Sequence, residues 1–140
     1  MTDEGYITIT EEPIGHWTVE VKLVDNNVWL TKNEIARLFH VFVSKVDANM
    51  RSIFKNKILF EQDVTRKVGY ERHGKRCVFT LYNLEAIIFL SYRIGSYEAR
   101  AFRGWIMNAM CAYSHRKQLK EPSMLLVYKY DENQPSMFVN

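Results

Sequence analysis

The sequence predicts an α+β domain in which a helix-turn-helix-like pair is followed by a basic β-hairpin, the outline of a winged helix. Three observations lead to this prediction. Residues near the N-terminus alternate apolar and polar side chains, as half-buried strands do. Two short amphipathic helices follow in close succession, and a second alternating segment holds a glycine turn among cations. With 140 residues, 47% of them hydrophobic, the chain can bury one core.

The N-terminal segments predict a β-meander. The stretches "YITIT" (6–10) and "WTVEVKLV" (17–24) have the strand period of two, and "EEPIG" between them holds the Pro13 and Gly15 of a turn. A second turn, "VDNN" (24–27), precedes "VWL" (28–30), which we expect to form a short strand that leads into the first helix.

The helix pair is marked by capping signals. Thr31 as N-cap and Glu34 three residues later form a capping box, and Ser44 is the expected N-cap of the second helix. The two helices meet through "HVFV" (40–43), where His40 is expected to take the left-handed conformation. The apolar face of the second helix is formed by Val46, Met50, Ile53 and Phe54.

A basic hairpin is predicted over residues 66–81. The segment "RCVFTLY" alternates, and "HGK" supplies the turn glycine Gly74. The expected tip carries Arg72, His73, Lys75 and Arg76.

Two core helices are predicted in the C-terminal half. The first, "LEAIIFLSYRI", is capped by Asn83 and ends at Gly95; Ser96 begins the second, which carries an apolar stripe from Phe102 onwards. One domain therefore spans residues 1–120. Residues 121–140 form a tail in which "MLLVYKY" supplies one strand and "DENQPSMFVN" is loosely held and flexible.

Positive charge is concentrated in the middle of the chain. Residues 1–42 carry three Lys or Arg against seven Asp or Glu, a net of −4, whereas residues 43–76 carry nine against four, a net of +5. Such a local cluster is what a polyanionic partner requires, and a charged solvated face is the alternative. The candidate DNA contacts are Ser44, Lys45, Asn49 and Arg51 in the second helix and Arg66, Lys67, Arg72, Lys75 and Arg76 in the hairpin.

Three residues of the second helix argue against a base-contacting surface. Asp47 would repel phosphate, and the apolar Phe42 and Val43 offer no polar contact to base edges. The sequence thus favours the helix-turn-helix shape more strongly than a helix that recognises bases.

Other function classes receive little support. The sequence has no glycine-rich phosphate loop, no Ser/His/Asp order and no His or Cys spacing typical of zinc, so we expect no enzyme, no metal and no cofactor. Cys77 and Cys111 are expected to be buried thiols in a cytoplasmic protein without a signal peptide or membrane span. Arg93 and Arg103 are expected to grip a carboxylate inside the fold, such as Glu85 or Glu98, or else an anion.

Three longer segments, "VWLTKNEIARLF", "YNLEAIIFLSYRIGS" and "FRGWIMNAMCAY", together strongly resemble the RhuM virulence-protein family. The resemblance runs through roughly residues 5–116 in order. The portion "YRIGS…ARAFRGWI" is also similar, at the level of the fold, to the N-terminal DNA-binding domains of phage antirepressors and viral Bro proteins. This resemblance implies a bacterial or phage-derived intracellular protein that binds DNA.

Two functions remain open on the sequence. The first is a regulatory protein that binds double-stranded DNA, as a homodimer, through the second helix and the hairpin. The second is an interaction module without DNA contacts, in which the tail "SMLLVYKY" adds a strand to a protein partner or to a second copy of the chain.

Overall fold

The computed structural model describes residues 4–115 and 123–132 and confirms the α+β class. Along the chain its elements are β1 (Tyr6–Glu11), β2 (His16–Val24), α1 (Lys32–Phe39), α2 (Val43–Lys55), α3 (Glu61–Val64), β3 (Thr65–Arg72), β4 (Lys75–Tyr82), α4 (Leu84–Ser91), α5 (Tyr97–His115) and β5 (Ser123–Asp131). The predicted loose segment from 133 onwards lies outside the described residues.

The first sheet differs from the predicted meander in its third strand. Its order is β1-β2-β5, with both neighbours antiparallel to β2. Segment 28–30 is not a strand of this sheet, since Leu30 instead makes an isolated bridge to Tyr82 at the end of β4. The Leu30 N–H donates to the Tyr82 carbonyl at 2.9 Å, and the Tyr82 N–H donates back at 2.7 Å. The segment thus joins the hairpin to the body, and the predicted tail strand completes the sheet.

Strand β2 shows why this sheet is held firmly. Trp17, Val19, Val21 and Leu23 alternate along it and are all buried against the helices. The edge strand β5 packs on the same core through Leu126, Tyr128 and Tyr130. The first sheet is therefore one wall of the core.

The helix pair keeps most of its predicted signals. Thr31 and Glu34 form the reciprocal capping box, and His40 ends α1 in the left-handed region with φ of 56°. The prediction of Ser44 as N-cap is wrong by two residues. Phe42 is the N-cap of α2, because its carbonyl already accepts the Lys45 and Val46 N–H groups and its own backbone is extended.

The hairpin extends one residue beyond its predicted limits at each end. His73 and Gly74 are the two turn residues, and both have positive φ, as a two-residue hairpin turn of type I′ requires. Its base is held by the Leu30 bridge and by the short helix α3, which leads directly into β3.

The C-terminal helices are confirmed, with one shorter than predicted. Asn83 caps α4 by accepting from the Ala86 N–H at 3.0 Å, but α4 ends at Ser91 and not at Gly95. Ser96 accepts from the Ala99 N–H at 3.1 Å at the start of α5. The prediction that both cysteines are buried is wrong: Cys77 is half-buried, and Cys111 is exposed, as are Met107 and Met110 of the same helix.

Candidate nucleic-acid interface

Helix α2 presents a solvent-facing stripe opposite its buried residues. Val46, Met50 and Ile53 face the core. On the other side, Ser44, Ala48, Arg51 and Lys55 recur at helical spacing and are all exposed, and this set is called the α2 face. Its N-terminal half is small and its C-terminal half is cationic. Such a profile allows close approach at one end and a charge contact at the other.

Asp47 lies on one flank of the α2 face, and its charge is neutralised within the protein. The Lys32 ammonium donates to one carboxylate oxygen, and Arg51 lies 3.0 Å from the other. The hydrogen bond from Lys32 lowers the pKa of Asp47, and the same contact raises the pKa of Lys32. The repulsion expected between Asp47 and phosphate is therefore largely offset by two cations already beside it.

The remaining polar residues of α2 have different roles. The Asn49 side chain is half-buried and donates to the Lys45 carbonyl at 2.9 Å, so its amide is turned onto its own helix. Lys45 and Arg51 are exposed, and Arg51 reaches solvent despite its contact with Asp47. Lys55 is a further cation of the α2 face that the sequence analysis left out. Its spacing of four residues from Arg51 is the signal that places both on one face.

The five predicted hairpin cations do not form one patch. In an antiparallel pair, residues directly opposite each other share a face, and the faces alternate along the strand. The register pairs Arg72 with Lys75 and Arg76 with Glu71. One face therefore carries Arg66, Arg72 and Lys75 together with Val68, Tyr70, Cys77, Phe79 and Leu81. The opposite face carries Lys67, Gly69, Glu71, Arg76, Val78, Thr80 and Tyr82.

The contacts at the hairpin base show how these two faces are oriented. On the second face, the Tyr82 ring lies 6.0 Å below the Lys32 ammonium, which itself contacts Asp47 of α2. This face is therefore called the helix-side face. On the other face, Arg66 pairs with Glu4 and lies 4.6 Å from the Trp29 ring centre. It is called the N-terminal-side face, and Arg66 is already engaged there.

The side chain of Arg76 packs over Gly69 on the helix-side face. A Cβ on Gly69 would lie only 3.1 Å from Nη2 of Arg76, so the guanidinium lies across the bare backbone of the neighbouring strand. Arg76 remains exposed in this position. A cation is thus held on the hairpin face that includes Tyr82.

Two arginines, Arg93 between α4 and α5 and Arg103 in α5, have structural partners. Arg103 donates to the carbonyls of Ser91 (2.5 Å) and Ile94 (2.8 Å), so the partners are backbone carbonyls at and just after the end of α4, and not the predicted carboxylate of Glu85 or Glu98. Arg93 donates to the Ser52 hydroxyl at 3.1 Å, on the flank of the α2 face opposite Asp47. Arg93 is exposed and bonds a hydroxyl, so the prediction that it grips a carboxylate inside the fold is wrong, and it adds a cation beside α2 that the sequence could not place there.

The described residues form neither a metal-binding cluster nor a helix that could span a membrane. Within residues 4–115 and 123–132, no three His, Cys, Asp or Glu side chains come together as a metal site. None of the helices in these ranges has the length and apolar character needed to cross a membrane. No protein-family model, curated protein or solved structure matches the chain.

Proposed function

We propose that this chain is a DNA-binding regulatory protein of the RhuM family. In this proposal the α2 face enters the major groove of double-stranded DNA, and the β3–β4 hairpin contacts the neighbouring backbone. The observation that carries it is the α2 face itself, an exposed helix surface with cations and no unpaired carboxylate, flanked by a basic hairpin.

The electrostatics support a phosphate-contacting role. Arg51 and Lys55 lie on the α2 face, and Arg93 lies on its flank through Ser52. The hairpin adds Lys67 and Arg76 on the helix-side face, the face whose Tyr82 contacts Lys32 of α1. Phosphate contacts by Lys and Arg supply most of non-specific DNA affinity, which typically gives a Kd of about 10⁻⁴–10⁻⁶ M at physiological salt.

The test compares two charge-matched double variants in fluorescence anisotropy with random-sequence duplex DNA across a salt series. Lys67→Ala/Arg76→Ala removes two cations from the helix-side face, and Arg72→Ala/Lys75→Ala removes two from the N-terminal-side face. Each phosphate contact contributes roughly −0.9 to the log–log salt slope. We expect the first variant to flatten the slope by nearly two units and the second to flatten it by much less.

The outcomes separate the parts of the proposal. If Arg72→Ala/Lys75→Ala flattens the slope instead, the hairpin approaches DNA by its other face. If neither variant changes the slope, the hairpin makes no DNA contact. Absence of binding by the wild-type protein at low salt rejects DNA binding altogether.

A protein-interaction function is the second candidate, and β5 favours it. Within the described residues β5 forms an edge of its sheet, and its outward face exposes Leu125 and Val127. Apolar side chains on an edge strand suit pairing with a protein strand or with a second copy of the chain. Sedimentation equilibrium of the wild type and of Leu125→Lys/Val127→Lys tests self-association, which we expect the substitutions to abolish.

A further inference from the structure

Phe42 is the least buried large aromatic residue beside the α2 face. Its side chain is 84% exposed, and it stands at the N-cap of α2, next to the half-exposed Val43. A large apolar side chain in this position gains nothing from the core. It also lies at the end of α2 where base contacts concentrate in helix-turn-helix proteins.

Phe42 is also a poor helix cap. The N-caps of α1 and α4 are Thr31 and Asn83, each of which accepts a hydrogen bond from a backbone N–H of its helix. Phe42 has no side-chain acceptor, and α2 has no side-chain cap hydrogen bond. The residue therefore breaks two local rules at once, apolar burial and capping, and such violations concentrate where a protein binds something.

The neighbouring residues leave room for a close approach. Ser44 and Ala48 of the α2 face are both small and exposed, so neither obstructs an approach to the N-terminal end of α2, where Phe42 lies. The left-handed His40 fixes the chain direction into the helix, and Val41 packs on the core behind it. The backbone on both sides of Phe42 is therefore held in place, while its side chain projects into solvent.

We infer that Phe42 is a specificity residue that packs against the C5-methyl group of thymine in the major groove. This inference rests on the proposed function. The major-groove edge of thymine carries one apolar group, its methyl, and Phe is one of the side chains that contact it. The partner is therefore double-stranded DNA containing thymine at the contacted step.

The experiment isolates that methyl group. A duplex is first selected from a random-sequence DNA pool with the wild-type protein. It is then synthesised in two forms that differ only in thymine or deoxyuridine, which lacks the methyl but keeps base pairing and phosphates. Burial of one methyl group is worth roughly fourfold in affinity. We expect the wild type to bind the deoxyuridine duplex about fourfold more weakly for each contacted thymine.

Two variants assign the effect to Phe42. In Phe42→Ala the thymine preference is expected to fall below about twofold, since the aromatic contact is gone. Ile14→Ala is the matched control, because Ile14 is equally exposed, at 89%, but lies in the β1–β2 turn; it should keep the full preference. Thermal melting of both variants should match the wild type, since neither side chain is buried.

Three results overturn the inference while DNA binding stands. They are equal wild-type affinity for the two duplexes, an unchanged preference in Phe42→Ala, and a selection that enriches no sequence despite salt-dependent binding. If the wild type binds no DNA at low salt, the inference fails together with the proposed function.

Discussion

The two antiparallel sheets of this protein are built from similar strands but differ in how much of their surface is buried. In the sheet β1-β2-β5 one face is buried, and Val21 at its centre is fully inaccessible. In the β3–β4 hairpin most residues beyond the base are exposed, and Val78 keeps 59% of its surface accessible. The first sheet therefore stabilises the fold, whereas the second is attached at its base and leaves most of its surface exposed to solvent.

The largest effect should come from the same substitution made in both sheets. Val21→Ala removes two buried methyl groups and should lower the free energy of unfolding by about 2–3 kcal/mol. Val78→Ala removes the same atoms from an exposed site and should change it by less than about 0.5 kcal/mol. Urea unfolding measures both, and similar losses for the two variants would contradict the contrast.

A smaller loss of stability is expected from a substitution at Gly104, where α5 packs against Tyr128 of β5. A Cβ on Gly104 would lie 2.8 Å from the Tyr128 ring, and such overpacking typically costs about 1–3 kcal/mol. Alanine has a better helix propensity than glycine, which offsets up to about 1 kcal/mol of this cost. We therefore expect Gly104→Ala to lower the free energy of unfolding by about 1–2 kcal/mol, measured by thermal or urea unfolding.

Two comparisons make this prediction specific. Gly95→Ala should be nearly neutral, because no atom lies within 4 Å of its added Cβ. In a Tyr128→Ala background the clash disappears, so Gly104→Ala should no longer destabilise. A cost that persists in that background would show that Tyr128 is not its cause.

The smallest effect concerns the ion pair between Lys32 and Asp47, which joins α1 to α2. Since Lys32 lowers the pKa of Asp47 below its ordinary value of 3.8, this carboxylate stabilises the fold above that pH. The stabilisation is lost as the pH falls through the lowered folded-state pKa. We expect Asp47→Asn to cost up to about 1 kcal/mol at pH 7, because the pair is partly exposed.

The pH profile supplies the check. Unfolding free energies of wild type and Asp47→Asn should converge as the pH drops below the folded-state pKa. A difference that stays constant down to that range would assign the effect to packing and not to charge. Helices α1 and α2 would then be held together without help from this charge pair.

Local signals in the sequence predicted local structure well. The Thr31–Glu34 capping box, the left-handed His40 and the Asn83 cap depend on residues a few positions apart, so the sequence contains the whole interaction. Ser44 failed as a cap because an extended Phe42 lets α2 begin earlier. The division of the hairpin cations into two faces could have been predicted from the sequence but was not. The strand period of two and the His73–Gly74 turn are enough to fix the register.

Contacts between residues far apart in the chain could not be predicted from the sequence. Nothing local indicates that Asp47 is paired with Lys32, which lies in a different helix, or that Arg93 reaches Ser52. The same limit explains the first sheet, where the third strand is not segment 28–30 but β5, more than a hundred residues from its partner β2. Candidate residues were therefore found by type, but their grouping into faces required the fold.

The pairing of β2 with β5 has a consequence for how the protein is made. His16 lies opposite Asp131, so the first sheet gains its third strand only after nearly the whole described chain has left the ribosome. Until then the β1–β2 hairpin exposes one edge and an apolar face, the features that promote aggregation of nascent chains. We expect completion of this sheet to wait for the emergence of β5 and to be sensitive to chaperone supply, although the helix pair and the basic hairpin are assembled from neighbouring residues.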